Sequence, residues 1–411
     1  MNGGRLEEML YDAAVPVLAQ PGMPATTEPE LTVVMPCLNE ADTLETCIVK
    51  ARKAIAENGI EGEVLVADNG STDGSQAIAS RAGARVVNVS AKGYGNALMG
   101  GIAVARGRFV LMGDADDSYD FEELPKFVEE IRRGPDLVQG CRLPSGGGRV
   151  LPGAMPFLHR WWGNPMFSFL VRIMFDAPIH DVYCGMRAFK KSVYEQLDMR
   201  CTGMEFATEM IIKATRLRLR IAEVPITLHP DGRKAHAPHL KTFRDGWRTL
   251  RFFLMCSPRW LFLIPGIVIF VLGLAGYALA MPGARIMGAT LDAHTLLAAS
   301  LALLIGHQAV FFAIFAKMFS INQRIMPEDP RMIRFFQTFN LEKGLVLGVG
   351  AVLFGLALLV WALGIWRAHS FGPLDYAHTM RLVIPGVTSV ALGAQTILSS
   401  FVISMMGMHR R

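Results

Sequence analysis

The chain has 411 residues, 51% hydrophobic and 19% charged, with a formal net charge of +5. A mean hydropathy of +0.32 is too high for an ordinary soluble protein, and the length suits one soluble domain followed by membrane spans. The mild positive balance supplies no broad basic field, so nucleic acid is not an expected partner.

Residues 1–30 contain Pro16, Pro21, Pro24 and Pro29 and read as a loose N-terminal arm with a short helix over 5–15. No basic start, apolar core and small-residue cleavage site stand there, so no signal peptide is expected. Leu31-Thr32-Val33-Val34-Met35 reads as a buried strand ended by Pro36, and a helix follows over 41–58, stopped by Asn58-Gly59. Strands over 64–67, 85–89 and 109–112 alternate with helices over 73–82 and 95–106. This alternation predicts an α/β, Rossmann-like parallel sheet with helices on both faces. Asn39, Asp68 and Asp114 each follow a predicted strand, so they are expected in one crevice at the C-terminal strand ends.

Beyond the catalytic stretch, 241–258 reads as a basic amphipathic helix for the headgroup layer. Phe243, Trp247, Leu250 and Leu254 form its apolar face, with Lys241, Arg244, Arg248 and Arg251 beside it. Residues 259–411 read as a transmembrane domain with spans at about 260–280, 296–316, 345–366 and 383–405. A second interfacial helix is expected over 331–340, where Met332, Phe335, Phe336 and Phe339 alternate with Arg331 and Arg334. Lys317, Arg324, Arg331, Arg334 and Lys343 crowd the segment between spans two and three, and His409-Arg410-Arg411 follow the fourth span. Loops on the other side carry only Arg285, Arg367 and Arg381. The positive-inside rule puts both termini and the catalytic domain in the cytoplasm, with a bacterial inner membrane as the expected location. The six cysteines (Cys37, Cys47, Cys141, Cys184, Cys201 and Cys256) show no paired or metal-site spacing, which fits reduced thiols on that side. The dispersed histidines His159, His229, His236 and His239 make a zinc site improbable.

The chemistry concentrates in Gly113-Asp114-Ala115-Asp116-Asp117, directly after the apolar run 109–112. Carboxylates at a buried strand end are costly unless a cation neutralises them. Asp114 and Asp116, two residues apart, can converge on one divalent ion. Such oxygen ligands suit Mg²⁺ or Mn²⁺ shared with a substrate's phosphates, which points to a nucleoside diphosphate. Asp68-Asn69-Gly70-Ser71-Thr72-Asp73-Gly74 and Lys92-Gly93-Tyr94-Gly95 add turns, with Asp73 a helix cap and the glycine-rich helix entry able to attract an anion or to serve as a plain turn.

The order Pro36-x-Leu38-Asn39-Glu40, Asp68-x-Gly70-Ser71-x-Asp73-Gly74, Lys92-Gly93-x-Gly95 and Asp114-x-Asp116 resembles the family-2 glycosyltransferases of GT-A fold over about residues 31–235, within a domain expected over 31–240. Gly140-Cys141-Arg142, Asp181-Val182-Tyr183-Cys184-Gly185-Met186-Arg187, Met204 to Glu209 and Glu223-Val224-Pro225-Ile226 are similar to the branch that makes polyprenyl-phosphate sugars, including dolichyl-phosphate mannose synthase.

The resemblance implies that Pro36, Asn39, Glu40, Asp68, Lys92 and Asp114 line the nucleotide pocket. It implies that Asp114 and Asp116 hold the metal and diphosphate, with Asp116, Asp181, Arg142 and Arg160 as catalytic residues. Arg233 and Lys234 would meet the acceptor phosphate. Ser118 stands where the dolichyl-phosphate mannose synthases carry Gln, so Asp117 is the alternative third metal contact. Asp181 is the branch's acceptor-side carboxylate, read as a positioning group that could also take a proton or, more plainly, as a turn residue. The implied activity is inverting transfer of a hexose from a nucleotide sugar, UDP-glucose before GDP-mannose, to polyprenyl phosphate, with self-association into a dimer or tetramer. A diacylglycerol-type acceptor is one alternative. A processive polysaccharide synthase is another, although Gln139 and Arg142 are followed by Leu143 where such enzymes carry Trp.

Overall fold

The computed structural model describes residues 28–233, 242–286, 288–322, 332, 334 and 340–407. The arm up to residue 27 with its short helix over 5–15, Lys234, and the interfacial helix over 331–340 apart from Met332, Arg334 and Asn340 lie outside the described residues.

Strand β1 (Leu31–Cys37) is almost wholly buried, as an apolar run in the middle of a sheet must be. Helix α1 (Leu44–Glu57) buries Leu44, Cys47, Ile48, Ala51, Ala54 and Ile55, a spacing that lays one stripe on the sheet. Truncating Ile48 to Ala there would cost about 2–5 kcal/mol. Strands β2 (Gly62–Asp68), β3 (Arg85–Asn88) and β4 (Phe109–Met112) then alternate with α2 (Ser75–Arg81) and α3 (Tyr94–Val104). The boundaries differ from the sequence expectations by three residues or fewer. Helix α3 lies tight on β1 and β2 because Gly101 has no side chain; a Cβ there would sit 2.7 Å from Val34 Cγ1 and 3.0 Å from Ala67 Cβ.

The second half adds α4 (Leu124–Arg132), β5 (Leu137–Cys141), β6 (Arg149–Val150), α5 (Asn164–Phe175), β7 (Arg187–Lys190), α6 (Lys191–Leu197), α7 (Phe206–Arg216), β8 (Ile221–Pro225) and β9 (Thr227–Leu228). The main sheet has the order β3-β2-β1-β4-β7-β5-β8. It is mixed, which corrects the all-parallel expectation: β7 runs antiparallel to both β4 and β5, whereas the other neighbours are parallel. The reversal has a direct consequence. The N-terminal end of β7 lies beside the C-terminal ends of β4 and β5, so residues 181–186 enter the crevice that Asp114 borders.

One apolar layer combines α1 and α4 with one face of the sheet; the other combines α3, α5 and α7. Helix α8 (Thr242–Cys256) joins the second layer. Its Phe253 is fully buried and meets Phe167 and Phe175 edge-on, and Leu250 and Leu254 pack against the same cluster. Arg248 bridges to Glu205 at 3.0 Å. Much of the face expected to enter the headgroup layer is therefore docked on the domain, while Trp247 and Met255 stay exposed.

Four helices are long and apolar enough to cross a membrane: Arg259–Ala280, Ala293–Asn322, Leu341–Ala368 and Tyr376–Gly407. They extend a few residues beyond most of the expected apolar stretches because their ends include polar residues, such as the Asn340 cap that accepts from the Lys343 N–H. The third and fourth close through small residues: a Cβ on Gly393 would lie 2.5 Å from the Gly348 carbonyl oxygen, so any side chain there would force the pair apart. Between the second and fourth, Ser300 meets Thr388 and His307 meets Gln395 and Thr396, which gives buried polar groups partners inside the apolar region.

Candidate active site

The crevice at the C-terminal strand ends gathers the expected residues from four segments. After β1, Asn39 has φ 60°. Its backbone N–H donates to Ser71 Oγ at 2.9 Å, and its side-chain oxygen accepts from the Thr72 N–H at 2.8 Å. Asp73 accepts from the Ala41 N–H at 2.9 Å and from the Ser75 N–H at 3.0 Å, so it joins the two loops and meets the first amide of α2, while the cap position expected for it is taken by Gly74 in a left-handed conformation. The glycine-serine turn thus aligns the loop after β1 with the loop after β2, and Pro36 lies partly exposed at its base.

Asp68 is 1% exposed and accepts from the Gly70 N–H at 3.0 Å, from Ser71 N–H at 3.2 Å and from Gln76 Nε2 at 2.6 Å. It organises its own turn. Lys92 donates to the Asn69 carbonyl at 2.6 Å, so its ammonium joins this crevice. The first amides of α3 do not wait for an anion, however. Gly95 N–H donates to the Thr202 carbonyl at 2.9 Å, and a Cβ at Gly95 would lie 2.2 Å from the Cys201 carbonyl oxygen. The anion-attracting reading of that helix entry is corrected: its glycine serves close backbone approach.

Asp114 and Asp116 follow β4. Asp114 Oδ1 accepts from the Tyr94 hydroxyl at 2.9 Å. Burial, and then the charge of Asp116, push the Asp114 carboxyl up to about 6, against the lowering effect of the Tyr94 bond. Asp116 Oδ1 accepts from Ser118 Oγ at 2.6 Å and from the Ser118 N–H at 3.1 Å. Asp117 does not join them. Its φ is 59°, and its carboxylate meets Lys50 at 2.8 Å on α1, which corrects its reading as a third metal contact. Among the described residues no group of three or more His, Cys, Asp or Glu side chains is placed to hold a metal. Two carboxylates at this spacing do fit a divalent cation that takes its remaining oxygens from a diphosphate, because such ions commonly keep only one or two protein carboxylates.

Behind the acidic pair stands a buried arginine cluster. Arg142, 7% exposed, gives Asp181 three bonds: backbone N–H to Oδ2 at 3.0 Å, Nε to Oδ2 at 2.7 Å and Nη2 to Oδ1 at 2.9 Å. Burial opposes the Arg142 charge, but Asp181 holds its pKa well above the usual guanidinium range. Asp181 has no exposed surface. Both of its oxygens accept from Arg142, so in this arrangement it orients that guanidinium.

Arg187 was singled out by no functional reading of the sequence. It is fully buried on β7, donating to the Ala207 and Cys184 carbonyls at 2.6 Å each, while Gln139 donates to the Asp181 and Cys184 carbonyls at 3.0 and 3.1 Å. These two side chains fix the 181–185 loop.

Arg233 departs most from expectation. It forms a two-point pair with Glu40 at 2.7 Å for both contacts, meets Asp231 at 2.9 Å, and reaches Asp116 Oδ2 at 3.3 Å. Burial lowers its pKa but these carboxylates raise it more, so the guanidinium stays charged. Its segment is also held by main chain: the Gly232 N–H donates to the Asp116 carbonyl at 3.0 Å, and the His229 N–H to the Ser118 carbonyl at 2.9 Å. Lys234 lies outside the described residues.

Arg160 lies on a π-helical turn (His159–Gly163) leading into α5. Its guanidinium stacks 5.5 Å from the Trp161 ring, not on the acidic pair. Phe157, Trp161 and Trp162 are 73%, 60% and 69% exposed, and Met166, Phe169 and Ile173 continue this apolar face. The buried thiols of Cys37, Cys47, Cys141 and Cys184 are pushed up to about 11 or 12 by burial, so they are neutral packing groups.

The chain is similar to several known proteins. The model of glycosyl transferase family 2 matches residues 32–198, and that of the glycosyltransferase family 2 C-terminal transmembrane region matches 314–407. The low-salt glycan biosynthesis hexosyltransferase Agl6 of Haloferax volcanii is 38% identical over 380 residues, covering 92% of this chain and 89% of that protein. The dolichyl-phosphate hexose transferase of the same organism is 32% identical over 218 residues, covering 53% of this chain and 89% of that protein. A crystal structure of glucosyl-3-phosphoglycerate synthase from Mycobacterium tuberculosis aligns with a TM-score of 0.42 and 22% identity, covering 55% of this chain and 78% of that one. With a GT-A-type mixed sheet, an acidic pair at the end of β4 and four apolar helices behind it, the chain belongs to glycosyltransferase family 2 and is an integral membrane glycosyltransferase.

Proposed function

We propose that this membrane glycosyltransferase moves one hexose from a nucleotide sugar to polyprenyl phosphate, with inversion, on the cytoplasmic face of the membrane. The observation that carries the reading is the pairing of roles in the crevice: acidic side chains at Asp114 and Asp116, and an acceptor-side carboxylate, Asp181, whose two oxygens are engaged by Arg142 and not held free as a base. An alcohol acceptor would need such a base. A lipid phosphate does not, because its second pKa is near 6 and it is largely ionised at pH 7. The names of the two Haloferax relatives, a hexosyltransferase and a dolichyl-phosphate hexose transferase, agree with this choice.

In this reading a phosphate oxygen attacks the sugar's C1 while the bond from C1 to the donor's β-phosphate oxygen breaks, and the nucleoside diphosphate leaves with the electron pair. Pro36, Asn39, Glu40, Asp68 and Lys92 border the nucleotide, and Asp114 and Asp116 would hold Mg²⁺ or Mn²⁺ for its diphosphate. A bound divalent cation supplies charge balance for the leaving diphosphate. Arg142, oriented by Asp181, Arg233 with Lys234, and Arg160 are the residues proposed to answer the remaining phosphate charge. The aromatic face of Phe157, Trp161 and Trp162 enters the headgroup layer, where an isoprenoid phosphate is presented. Excess Lys and Arg between spans two and three supports the cytoplasmic orientation.

UDP-glucose is the first donor proposed, with GDP-mannose next. The test is incubation of the purified protein in lipid nanodiscs with polyprenyl phosphate, Mn²⁺ and a panel of radiolabelled nucleotide sugars. Label entering the lipid phase from one hexose donor supports the proposal. Transfer to water alone, or from none of the panel, contradicts it.

A further inference from the structure

Arg233 is bound to residues of two different proposed functions. It pairs with Glu40, from the nucleotide side, and approaches Asp116, from the cation side. Asp116 Oδ1 is already engaged by Ser118, so Oδ2 is the oxygen that remains for a metal, and Arg233 Nη2 lies 3.3 Å from it. A guanidinium and a divalent cation at that oxygen repel one another strongly in a partly buried site. Glu40 presents the same conflict, because both its oxygens are held at 2.7 Å by Arg233.

We infer that Arg233 is an internal counter-ion that competes with the divalent cation and the nucleotide for Asp116 and Glu40, so that donor loading releases Arg233 for the acceptor phosphate. This rests on the reading of the site given above and adds to it that Arg233 occupies Glu40 and Asp116 until the donor and its cation replace it. Three features support the exchange. Arg233 is 14% exposed, close enough to the surface to swing out without unfolding the core. Its five guanidinium donors suit carboxylates and phosphate oxygens equally. Its release would leave the carboxylates it pairs, Glu40, Asp116 and Asp231, without their counter-ion, a charge that a divalent cation and its nucleotide's partners must then balance.

The competition is tested by Mn²⁺ binding to the full-length protein in nanodiscs, followed by electron paramagnetic resonance of the free ion without nucleotide or acceptor. Arg233→Gln is expected to bind Mn²⁺ at least about tenfold more tightly than the wild type, and Arg233→Lys, which keeps charge but loses the two-point pair, to fall between them. A second readout uses the wild type alone: Mn²⁺ with UDP or GDP is expected to speed trypsin cleavage after Arg233, and Asp116→Asn to abolish the speeding due to Mn²⁺. Equal or weaker Mn²⁺ binding in Arg233→Gln, with binding present in both proteins, overturns the competition and leaves the site reading standing. Absence of Mn²⁺ binding in both proteins, even with UDP and GDP, overturns the two together.

Discussion

Asp181 and Arg142 form a closed pair at the back of the crevice, sealed from solvent and joined by three hydrogen bonds. A carboxylate bound this way at both oxygens orients a guanidinium. Asp181→Asn should therefore act through stability and through Arg142. Breaking a buried pair on one side costs about 3–5 kcal/mol, which should appear as a lower melting temperature of the purified protein. Its residual activity should keep the wild-type rate–pH profile between about pH 6 and 9. Loss of one limb of that profile, with stability unchanged, would restore Asp181 as a base.

Asp116 stands where cation and diphosphate charge are expected to meet. Asp116→Ala should lower turnover by at least about a thousandfold while circular dichroism and the melting temperature stay near wild type, since its side chain bonds only Ser118 and Arg233. A variant that retains the wild-type rate would remove the acidic pair from the mechanism.

The aromatic face ahead of α5 should matter for the lipid and not for the nucleotide. Replacing Trp161 and Trp162 together by Ser removes two large, exposed rings. The expected result is a several-fold rise in KM for a long-chain polyprenyl phosphate, by about tenfold at most, with the donor KM unchanged. A rise in donor KM alone would place these rings at the sugar.

Glu30 gives a pH-dependent anchor at the start of β1. Its hydrogen bond with Arg132 first, and its pair with Arg108 after it, hold its carboxyl down at about 2, against an ordinary value of 4.5. A depressed carboxylate stabilises the folded state above its unfolded-state value, and that contribution is lost as pH falls from 4.5 through 2. Glu30→Gln should lower the melting temperature at pH 6 and leave a difference from wild type that shrinks across this window. A difference constant from pH 6 to pH 2 would contradict the assignment.

The part of the fold that was legible in the sequence was the part set by local pattern. Buried strands ending in polar residues placed Asn39, Asp68 and Asp114 in one crevice, and the four apolar stretches located the spans. Pairings between distant segments were hidden. Glu40 and Arg233 lie 193 residues apart, and nothing local joins them. Asp117 looked equivalent to Asp116 in an acidic run, yet a left-handed backbone turns it to Lys50 on α1. The antiparallel β7 was obscured because four residues carry too short a period to declare a direction, and its motif reads as a loop. Helix α8 looked amphipathic on one face only; Phe253, beside that face, proved to be its deepest contact with the domain.

The central claim is that the acceptor is an anionic lipid phosphate and not a hydroxyl. The most direct measurement offers the purified protein polyprenyl phosphate, the matching polyprenol and diacylglycerol separately, each with the active nucleotide sugar and Mn²⁺, and follows labelled lipid. The account predicts product from polyprenyl phosphate alone, released by mild acid. Labelled glycolipid formed from diacylglycerol or polyprenol, with polyprenyl phosphate inert, would contradict it.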